Sequence, residues 1–309
     1  MTELWNSLLV HPLLTLFVAL FNLFGDFGLA IVLVTIGIRL VLYPLFVAQI
    51  RSQRAMQELA PALNELKAKY GKDRQRMSEE QMKLYKERGY NPAMGCFPLI
   101  VQMPLLFAMY AAFIQAGGGA GSEALVGSQY ATFLPSFVPY PFGPDQPLST
   151  AAHWLPWIAD GLAHPDPFKV LPVLAGATQL VASIMAQPAK QPVTDDPQAK
   201  MMQSMVYYFP LITVFIAWSL PAGLGLYWVT TTVVQIVQQY FVTGWGRLPR
   251  FVPALANIPS PGERALAIRQ RAALEEERQD MAALDARERA PKERSRTQKK
   301  RNDRRGNRR

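Results

Sequence analysis

The stretch GLAIVLVTIGIRLVLYPLFV, residues 28–47, decides the fold class of this chain. It contains twenty residues and a single charge, Arg39. At about 1.5 Å of rise per residue, a helix of this length crosses the roughly 30 Å hydrocarbon core of a bilayer. We therefore predict a membrane-spanning helix that carries one cation within the membrane.

Four more apolar stretches follow in the 309-residue chain. The first of them, residues 93–116, has no charge and contains only Gln102 and Gln115 as strongly polar side chains. Two of the others are 17 and 16 residues long, so they reach only about 24 to 26 Å and need polar flanks or a locally thinner bilayer. The sequence thus predicts an all-α polytopic membrane protein with a core of five spans. The last three stretches are 170–186, 205–220 and 223–242.

Lysine and arginine residues determine the predicted orientation. Residues 50–90 hold ten basic and six acidic residues, whereas residues 117–167 hold four acids and no lysine or arginine. Because cytoplasmic loops are enriched in basic residues, we place 50–90 in the cytoplasm and 117–167 outside. The chain then ends in the cytoplasm, and its N-terminus lies outside.

The N-terminal residues 1–27 are apolar but carry a polar stripe. On a helical wheel the stripe occupies an arc of about 140°, which predicts a helix lying in the outer membrane interface. A cleaved signal peptide is disfavoured, because Glu3 replaces the usual basic residues and no A-x-A site precedes Gly28. An additional span is the other alternative, and it would move the basic loop to the wrong side. The stripe comprises Glu3, Ser7, His11, Thr15, Asn22 and Asp26.

The basic loop 50–90 has a helical pattern. Its apolar residues recur at spacings of 3, 4, 3 and 4, as in a coiled-coil seam, and the pattern breaks at residues 71–73 before it resumes. We predict an antiparallel helical hairpin in the cytoplasm, with a solvated spacer as the equally weighted alternative. The seam residues are Met56, Leu59, Leu63, Leu66 and Tyr70.

Positive charge is concentrated at the C-terminus. From Arg247 to Arg309 the chain holds 18 basic and 9 acidic residues, a surplus equal to the net charge of +9 of the whole chain. Beyond Pro291 hydrophobic residues disappear, and we predict a disordered polycation. Such a tail binds phosphate groups, and the sequence leaves open whether they belong to ribosomal RNA or to anionic lipids.

The predicted segments follow one another without gaps. They are an interfacial helix (1–27), a first span (28–49), the cytoplasmic hairpin (50–90), a second span (91–116), an extracytoplasmic loop (117–167), a third span (168–187), a cytoplasmic loop (188–204), a fourth span (205–220), a fifth span (221–243) and a basic cytoplasmic tail (244–309).

Arg39 is the most informative single residue. A guanidinium near the middle of a spanning helix costs about 2.5 to 3.5 kcal/mol, so its side chain should face a polar cavity rather than lipid. We predict a cavity open toward the cytoplasm, and the alternative is a structural arginine bonded to carbonyls or to an interfacial acid. Since no aspartate or glutamate lies in the five predicted spans, Arg39 is available to attract an acidic segment of another molecule.

Other polar side chains are candidates for the same cavity. Gln102 in the second span and Gln179 in the third are polar residues of the kind that also bond helices to one another. Tyr227 and Trp228 suit either the wall of such a cavity or the aromatic belt at the membrane surface. Further candidates by polarity are Thr178, Ser183, Thr230, Thr231, Thr232 and Gln235.

The chain offers little of the chemistry that enzymes use. Cys96 is the only cysteine, which excludes an intramolecular disulfide and any site built from several cysteines. His11, His153 and His164 lie far apart, and no HExxH, GxSxG or GxxxxGKS/T motif occurs. We therefore expect no metal, no other cofactor and no enzymatic bond chemistry.

Several motifs in order resemble one protein family. The string NPAMGCFPLIVQMP, residues 91–104, closely resembles the start of the second core span of the YidC, Oxa and Albino membrane protein insertases. IRLVLYPL at 38–45 resembles their arginine-bearing first core span, and TDDP at 194–197 and LPAGLGLYW at 220–228 fit in family order and spacing. The resemblance covers roughly residues 14–244 and is to the short bacterial form, without a large periplasmic domain.

This resemblance implies a five-span core around a hydrophilic groove that is closed toward the outside and open to the cytoplasm and to lipid. Arg39 would lie at its centre, with Gln179 and Trp228 among its lining residues and Gln102 added by polarity. The implied protein is a multi-pass insertase and chaperone of the bacterial inner membrane, which inserts nascent membrane proteins without ATP.

The expected partners are nascent membrane proteins, the ribosome through the basic tail, the Sec translocon, the receptor of the signal recognition particle, and anionic lipids. Two other functions stay open at this point. One is a transporter that uses Arg39 to bind a small anion, although the chain has no internal repeat and no intramembrane acid for ion coupling. The other is a membrane tether for ribosomes, which the tail alone would support.

Overall fold

A computed structural model describes residues 2–71, 73–89, 93–117, 123–158, 160–188 and 197–268, together with positions 271, 272, 275 and 278. This part of the chain is predominantly helical, and within it no β-strand forms. Two isolated bridges join Val126 to Pro147 and Pro165 to Pro221. Most of the predicted basic tail, including everything from Pro291 on, lies outside the described residues.

The N-terminal region is one apolar helix with a local irregularity. Helix α1 (Thr2–Trp5) continues through a π-helical turn (Asn6–Val10) into α2 (His11–Phe24). Gly25 ends α2 in the left-handed region at φ 69°, a conformation that glycine adopts without steric cost.

The predicted first span, 28–49, is divided between two helices. Helix α3 (Phe27–Val41) ends just before α4 (Tyr43–Tyr70) begins, and the two axes differ in direction by 70°. Pro44 accounts for the break, because proline has no N–H to continue the hydrogen bonds of α3 but is well accepted in the first turn of a new helix.

Helix α5 (Arg74–Glu87) returns along α4 after a short connection. The Asp73 side chain caps its first turn by accepting a hydrogen bond from the Arg76 N–H at 3.1 Å. Leu59 and Tyr85 are buried between the two helices. Among the helices described, α5 packs chiefly against α4. We call residues 43–87 the hairpin.

The remaining long helices form a packed group. Helix α6 (Ala93–Gly117) is followed by the short α7 (Gly127–Tyr130) and then by α8 (Val170–Ala186), α9 (Pro197–Ala217) and α10 (Ala222–Val242). Helix α10 packs against α8 and α3, whereas α9 packs chiefly against α8. The contact between α8 and α9 is close at Gly176, where an added Cβ would meet the Val214 side chain and lie 3.1 Å from the Pro210 carbonyl oxygen.

Length and hydropathy single out few of these helices as spans. One described helix, Glu3–Phe24, is long and apolar enough to cross a membrane, and the bent pair Phe27–Val41 and Tyr43–Met56 would make a second. Val170–Ala186 and Ser204–Ala217 are apolar but shorter. The five-span core therefore stays a prediction.

The main hydrophobic core gathers around the N-terminal end of α3 and the C-terminal end of α6. Phe17 of α2 lies at its centre, with ring centroids 5.3 Å from Phe27 and 5.8 Å from Phe113. Residues 123–158 and 160–167 complete this core, through Tyr130 and Leu162 among others. We call these residues the cap.

The cap is bonded to the first turns of three helices. Each of these bonds satisfies a main-chain N–H that a helix N-terminus leaves without an internal partner. The three bonds are Phe27 N to Ala151 O (3.1 Å), Leu171 N to Asp166 Oδ2 (2.7 Å) and Ala222 N to His164 O (2.7 Å).

Asp26 joins the cap to the start of α3. Its buried carboxylate accepts hydrogen bonds from the main-chain N–H groups of Leu29 (2.8 Å) and His153 (2.7 Å) and from Trp154 Nε1 (3.2 Å). Burial by itself would raise the pKa of Asp26, but these hydrogen bonds and the His153 ring outweigh it and lower the pKa below its ordinary value of 3.8.

After α10 the chain folds back onto the C-terminal end of α8. Residues 248–250 and 253–257 form two 3₁₀ turns, and residues 261–268 are helical. Leu248 packs with Ile184 and Met185 in a second, smaller hydrophobic cluster. We call residues 244–268 the collar.

Candidate functional site

Arg39 is held in the last turn of α3, just before the bend into α4. Its side chain is covered by protein, with the residue only 6% exposed. The guanidinium carbon lies 4.0 Å from the centroid of the Phe46 ring, which comes from the first turn of α4. The bend at Leu42 thus brings an aromatic face over the cation, a contact worth about 0.5 to 2 kcal/mol.

Tyr227 lies close enough to Arg39 for the two side chains to interact electrostatically. The Tyr227 ring is almost fully buried in α10, and its hydroxyl oxygen accepts a hydrogen bond from Gln102 Nε2 of α6 at 2.5 Å. Three helices therefore contribute to one small polar cluster formed by Arg39, Gln102 and Tyr227.

Two other predicted site residues lie apart from this cluster. Gln179 of α8 and Trp228 of α10 are both half-buried, and neither contacts Arg39 among the interactions described for these helices. Nearby, Thr178 and Thr232 hydroxyls are hydrogen-bonded at 2.6 Å, which joins α8 to α10. The structure thus connects Gln102 to Arg39 only through Tyr227, and it shows no contact of Gln179 or Trp228 with this cluster among the interactions described.

Sequence reasoning did not select Phe46 and left Tyr227 undecided. Phe46 is separated from Arg39 by the helix break, so helical spacing gives no reason to pair the two; Pro44 was the available signal for that break. For Tyr227, an aromatic ring with a hydroxyl suits both a membrane surface and a buried polar site. The register of α10 against α6 decides between them, and that register depends on contacts distant in sequence.

The described residues provide no alternative site with clear chemistry. No group of three or more His, Cys, Asp or Glu side chains within them could hold a metal ion. An open depression of about 470 Å³ lies along α5 of the hairpin rather than beside Arg39, and four of its six lining residues are charged. The cluster around Arg39 is therefore the candidate site.

Comparison with known families gives a match over most of the chain. The family model described as "60Kd inner membrane protein" matches residues 19–247. This range includes the Arg39 cluster, the hairpin, the cap and all of α10.

Curated relatives carry one name. The chain is 37% identical over 238 residues to the membrane protein insertase YidC of Actinobacillus pleuropneumoniae serotype 3, and the match covers 77% of this chain and 37% of that relative. It is 35% identical over 246 residues to the membrane protein insertase YidC 1 of Halalkalibacterium halodurans, with 78% of this chain and 79% of the relative covered. The chain thus spans little more than a third of the Actinobacillus protein and most of the Halalkalibacterium protein.

A solved structure described as "Active YidC insertase crystal structure with the first transmembrane domain resolved" is also similar. It is 26% identical, with 77% of this chain and 47% of the solved chain covered and a TM-score of 0.46. From the family match and the curated relatives, the chain belongs to the 60Kd inner membrane protein family, which includes the YidC membrane protein insertases.

Proposed function

We propose that this protein is a membrane protein insertase and chaperone of the bacterial inner membrane. It would insert nascent membrane proteins and help them to fold, alone or with the Sec translocon. The observation that carries the proposal is the buried Arg39 cluster within the region shared with the YidC family. No bond is made or broken in this activity, so the protein would not be an enzyme and would need no cofactor.

A five-span core is the architecture that we propose for the membrane. It is supported by the absence of charge from the sequences of α6, α8 and α10 and by the single charge of α3. The hairpin is rich in lysine and arginine, whereas the cap contains acidic residues but no lysine or arginine. The two segments emerge from opposite ends of the core. This charge difference supports a cytoplasmic hairpin, an external cap and a cytoplasmic C-terminus.

We further propose that the N-terminal helix lies in the outer interface. The polar stripe of this region supports the proposal, because three of its members contact the cap: Asp26, as described above, His11 and Asn22. The His11 ring stacks on Phe133 at 4.2 Å between centroids, and Asn22 Nδ2 donates a hydrogen bond to the Pro139 carbonyl at 2.7 Å. His11 and Asn22 are eleven residues apart, about 16 Å along a helix, so the cap lies along the helix rather than at one end.

The Arg39 cluster would lower the energy barrier for a polar segment that has to cross the membrane. Arg39 is a cation with no acidic partner among the described residues, so an acidic residue in the crossing segment would be its counter-ion. Tyr227 and Gln102 would supply further hydrogen bonds. Reducing the desolvation cost of that segment by about 4 kcal/mol would accelerate crossing roughly 1000-fold.

An apolar client segment would then leave the groove sideways into lipid. Helix α9 supports this step, since it packs chiefly against α8 and exposes large hydrophobic side chains along most of its length. Helix α6 exposes Ile100 and Phe107 in the same way. The exposed side chains of α9 include Met205, Tyr208, Leu211, Ile212 and Phe215.

The cytoplasmic partners follow from charge. We propose that the hairpin receives the client and that the basic tail docks the ribosome through its RNA, with the Sec translocon and the receptor of the signal recognition particle as further partners. Anionic lipids compete for the same basic residues, because lipid and RNA both present phosphate groups.

Reconstitution tests the central claim. Proteoliposomes containing only this protein should insert a single-span client with acidic residues in its translocated tail. The Arg39→Ala variant should insert this client about tenfold more slowly, equivalent to about 1.4 kcal/mol, while Arg39→Lys retains part of the activity because its charge persists.

Two controls make the result specific. Arg250→Ala removes an exposed arginine that lies after α10, outside both the Arg39 cluster and the hairpin, and should leave insertion unchanged. A client with a neutral tail should be nearly insensitive to Arg39→Ala. Wild-type insertion of the acidic client by Arg39→Ala would refute the attraction mechanism, and transport of a small anion without any insertion would replace the insertase by a transporter.

A further inference from the structure

The collar is a folded element at the end of the core opposite the cap. Trp245 holds it together, because its indole Nε1 donates to the Ile258 carbonyl at 2.9 Å and its main-chain N–H donates to Glu263 Oε1 at 3.2 Å. Ser260 and Glu263 form a capping box at the start of the 261–268 helix. These hydrogen bonds hold residues 245–263 of the collar together as one folded unit.

The collar is also fixed to the C-terminal end of α8. Arg247 Nη1 donates a hydrogen bond to Gln187 Oε1 at 3.0 Å, and Leu248 is buried against Met185. Gly246 lies so near the Met185 carbonyl that no Cβ would fit there, and its φ of 55° is in the left-handed region. These contacts set the direction in which the other face of the collar points.

That other face combines apolar and cationic side chains. Phe251, Val252 and Ile258 are 49%, 44% and 48% exposed. Arg250, which directly precedes Phe251 in the chain, and Arg264 are also exposed, and the Arg247 guanidinium lies 5.7 Å from the centroid of the Phe251 ring. The sole acidic residue of the collar, Glu263, is used in the internal bonds described above. The face is thus positive and apolar together.

We infer that this face of the collar binds the anionic phospholipid surface of the membrane that contains the core. Side chains with apolar bodies enter the boundary between headgroups and acyl chains, while neighbouring arginines bind the phosphates. The position along the chain supports the same partner, since the collar begins directly after the last proposed span. Helix α10 exposes Val237 and Phe241 on its final turns, so an apolar surface leads to the collar.

Lipid explains this face better than RNA does. The phosphates of RNA would bind the arginines but would leave the three apolar side chains in water, whereas a bilayer surface provides for both. The inference rests on the proposed orientation of the core and does not depend on the insertase activity. By binding lipid, the collar would hold the end of α10 and the start of the tail at the membrane surface.

The test uses the full-length chain in lipid nanodiscs. A spin label is attached to Asn257→Cys, beside Ile258, in a Cys96→Ser background, and its accessibility to oxygen and to a water-soluble nickel complex is measured. In nanodiscs of phosphatidylcholine with phosphatidylglycerol, the label should be more accessible to oxygen than to nickel. Arg250→Glu and Arg264→Glu should each reduce the lipid-bound population about fivefold or more.

Charge reversal on the hairpin, Lys83→Glu, is the matched control and should have no effect on the collar label. A label at Glu79→Cys should be accessible to nickel throughout.

Raising the salt concentration tests the wild-type collar without a mutation, because screening should release it from the anionic surface. Equal nickel accessibility in anionic and zwitterionic nanodiscs would overturn the inference, as would protection of the label only after ribosomes are added. An insertion assay on the same nanodiscs separates this failure from failure of the proposed function.

Discussion

The cap and the hairpin both connect helices of the core, and they are built in opposite ways. The cap has little regular structure beyond α7, yet it is bonded to the N-terminal ends of α3, α8 and α10. The hairpin is almost entirely helical, yet α5 packs chiefly against α4. Helical content is therefore a poor guide to how firmly a segment is held; the number of tertiary contacts decides that.

The difference assigns separate tasks to the two ends of the core. With the orientation and function proposed above, a cap that is tied to three helices would keep the outer end closed while clients enter elsewhere. A hairpin whose outer helix has one main neighbour can open at low energetic cost, which suits an element that receives clients of different shapes.

The largest effect is expected from removing the hairpin. Replacing residues 57–88 by a Gly/Ser linker keeps the buried Phe46, Val47 and Ile50 of α4 in place. Insertion in proteoliposomes should be abolished, while the thermal unfolding profile in detergent stays close to wild type because the core loses few contacts. Retained insertion would show that the hairpin is a passive spacer.

Asp26→Ala should have the next largest effect, on stability. The substitution removes the cap of α3 and leaves the His153 N–H and Trp154 Nε1 without their partner, a loss of about 2 kcal/mol or more. The midpoint of thermal unfolding should fall by several degrees. Asp145→Asn changes an exposed acid of the cap and serves as the control, with no shift expected. An unchanged midpoint for Asp26→Ala would mean that the cap is not held by this residue.

Acidification should weaken the hydrogen bonds through which Asp26 links the cap to the start of α3. Because the pKa of Asp26 is lower in the folded protein than its ordinary value of 3.8, ionised Asp26 stabilises the fold above that value. This stabilisation decreases as the pH falls below 3.8 and is lost once the pH passes the lowered pKa of the folded state. The difference in thermal unfolding between wild type and Asp26→Ala should therefore be fully present at neutral pH and should shrink as the pH falls through 3.8 toward the lowered pKa. A constant difference across that range would contradict the assignment.

The smallest effect is expected from locking the cap. Asn22→Cys and Pro139→Cys, in a Cys96→Ser background, can be joined by a short bifunctional maleimide because both positions are exposed and the native side chain of Asn22 contacts Pro139. Insertion should continue at the rate of the same variant treated with a monofunctional reagent. A strong loss of insertion would show that the cap must open during each cycle.

The sequence was sufficient for elements that depend on local patterns. The polar stripe of the N-terminal helix, the end of α4 near Gly71 and the single charge of α3, Arg39, could all be read from spacing and composition. The bend at Leu42 could have been anticipated from Pro44, but an apolar run of twenty residues suggested one straight helix.

The cap could not be predicted in the same way. Its structure depends on pairs far apart in the chain, such as Asn22 with Pro139 and Asp26 with Trp154, and no periodic pattern marks them. The partners of Arg39 have the same origin, because Phe46, Tyr227 and Gln102 meet only after three helices have packed.

The close contact at Gly176 bears on how wide the proposed groove could become. Since α9 presses against α8 at that glycine, separating the two helices would expose a closely matched surface, and they should be displaced together as one rigid pair. If clients leave between these helices as proposed, the clearance available to them would be governed by the distance between this pair and α6. Bulky clients would be selected by how far α6 can shift, and a larger side chain at residue 176 would change that clearance from a position remote from Arg39.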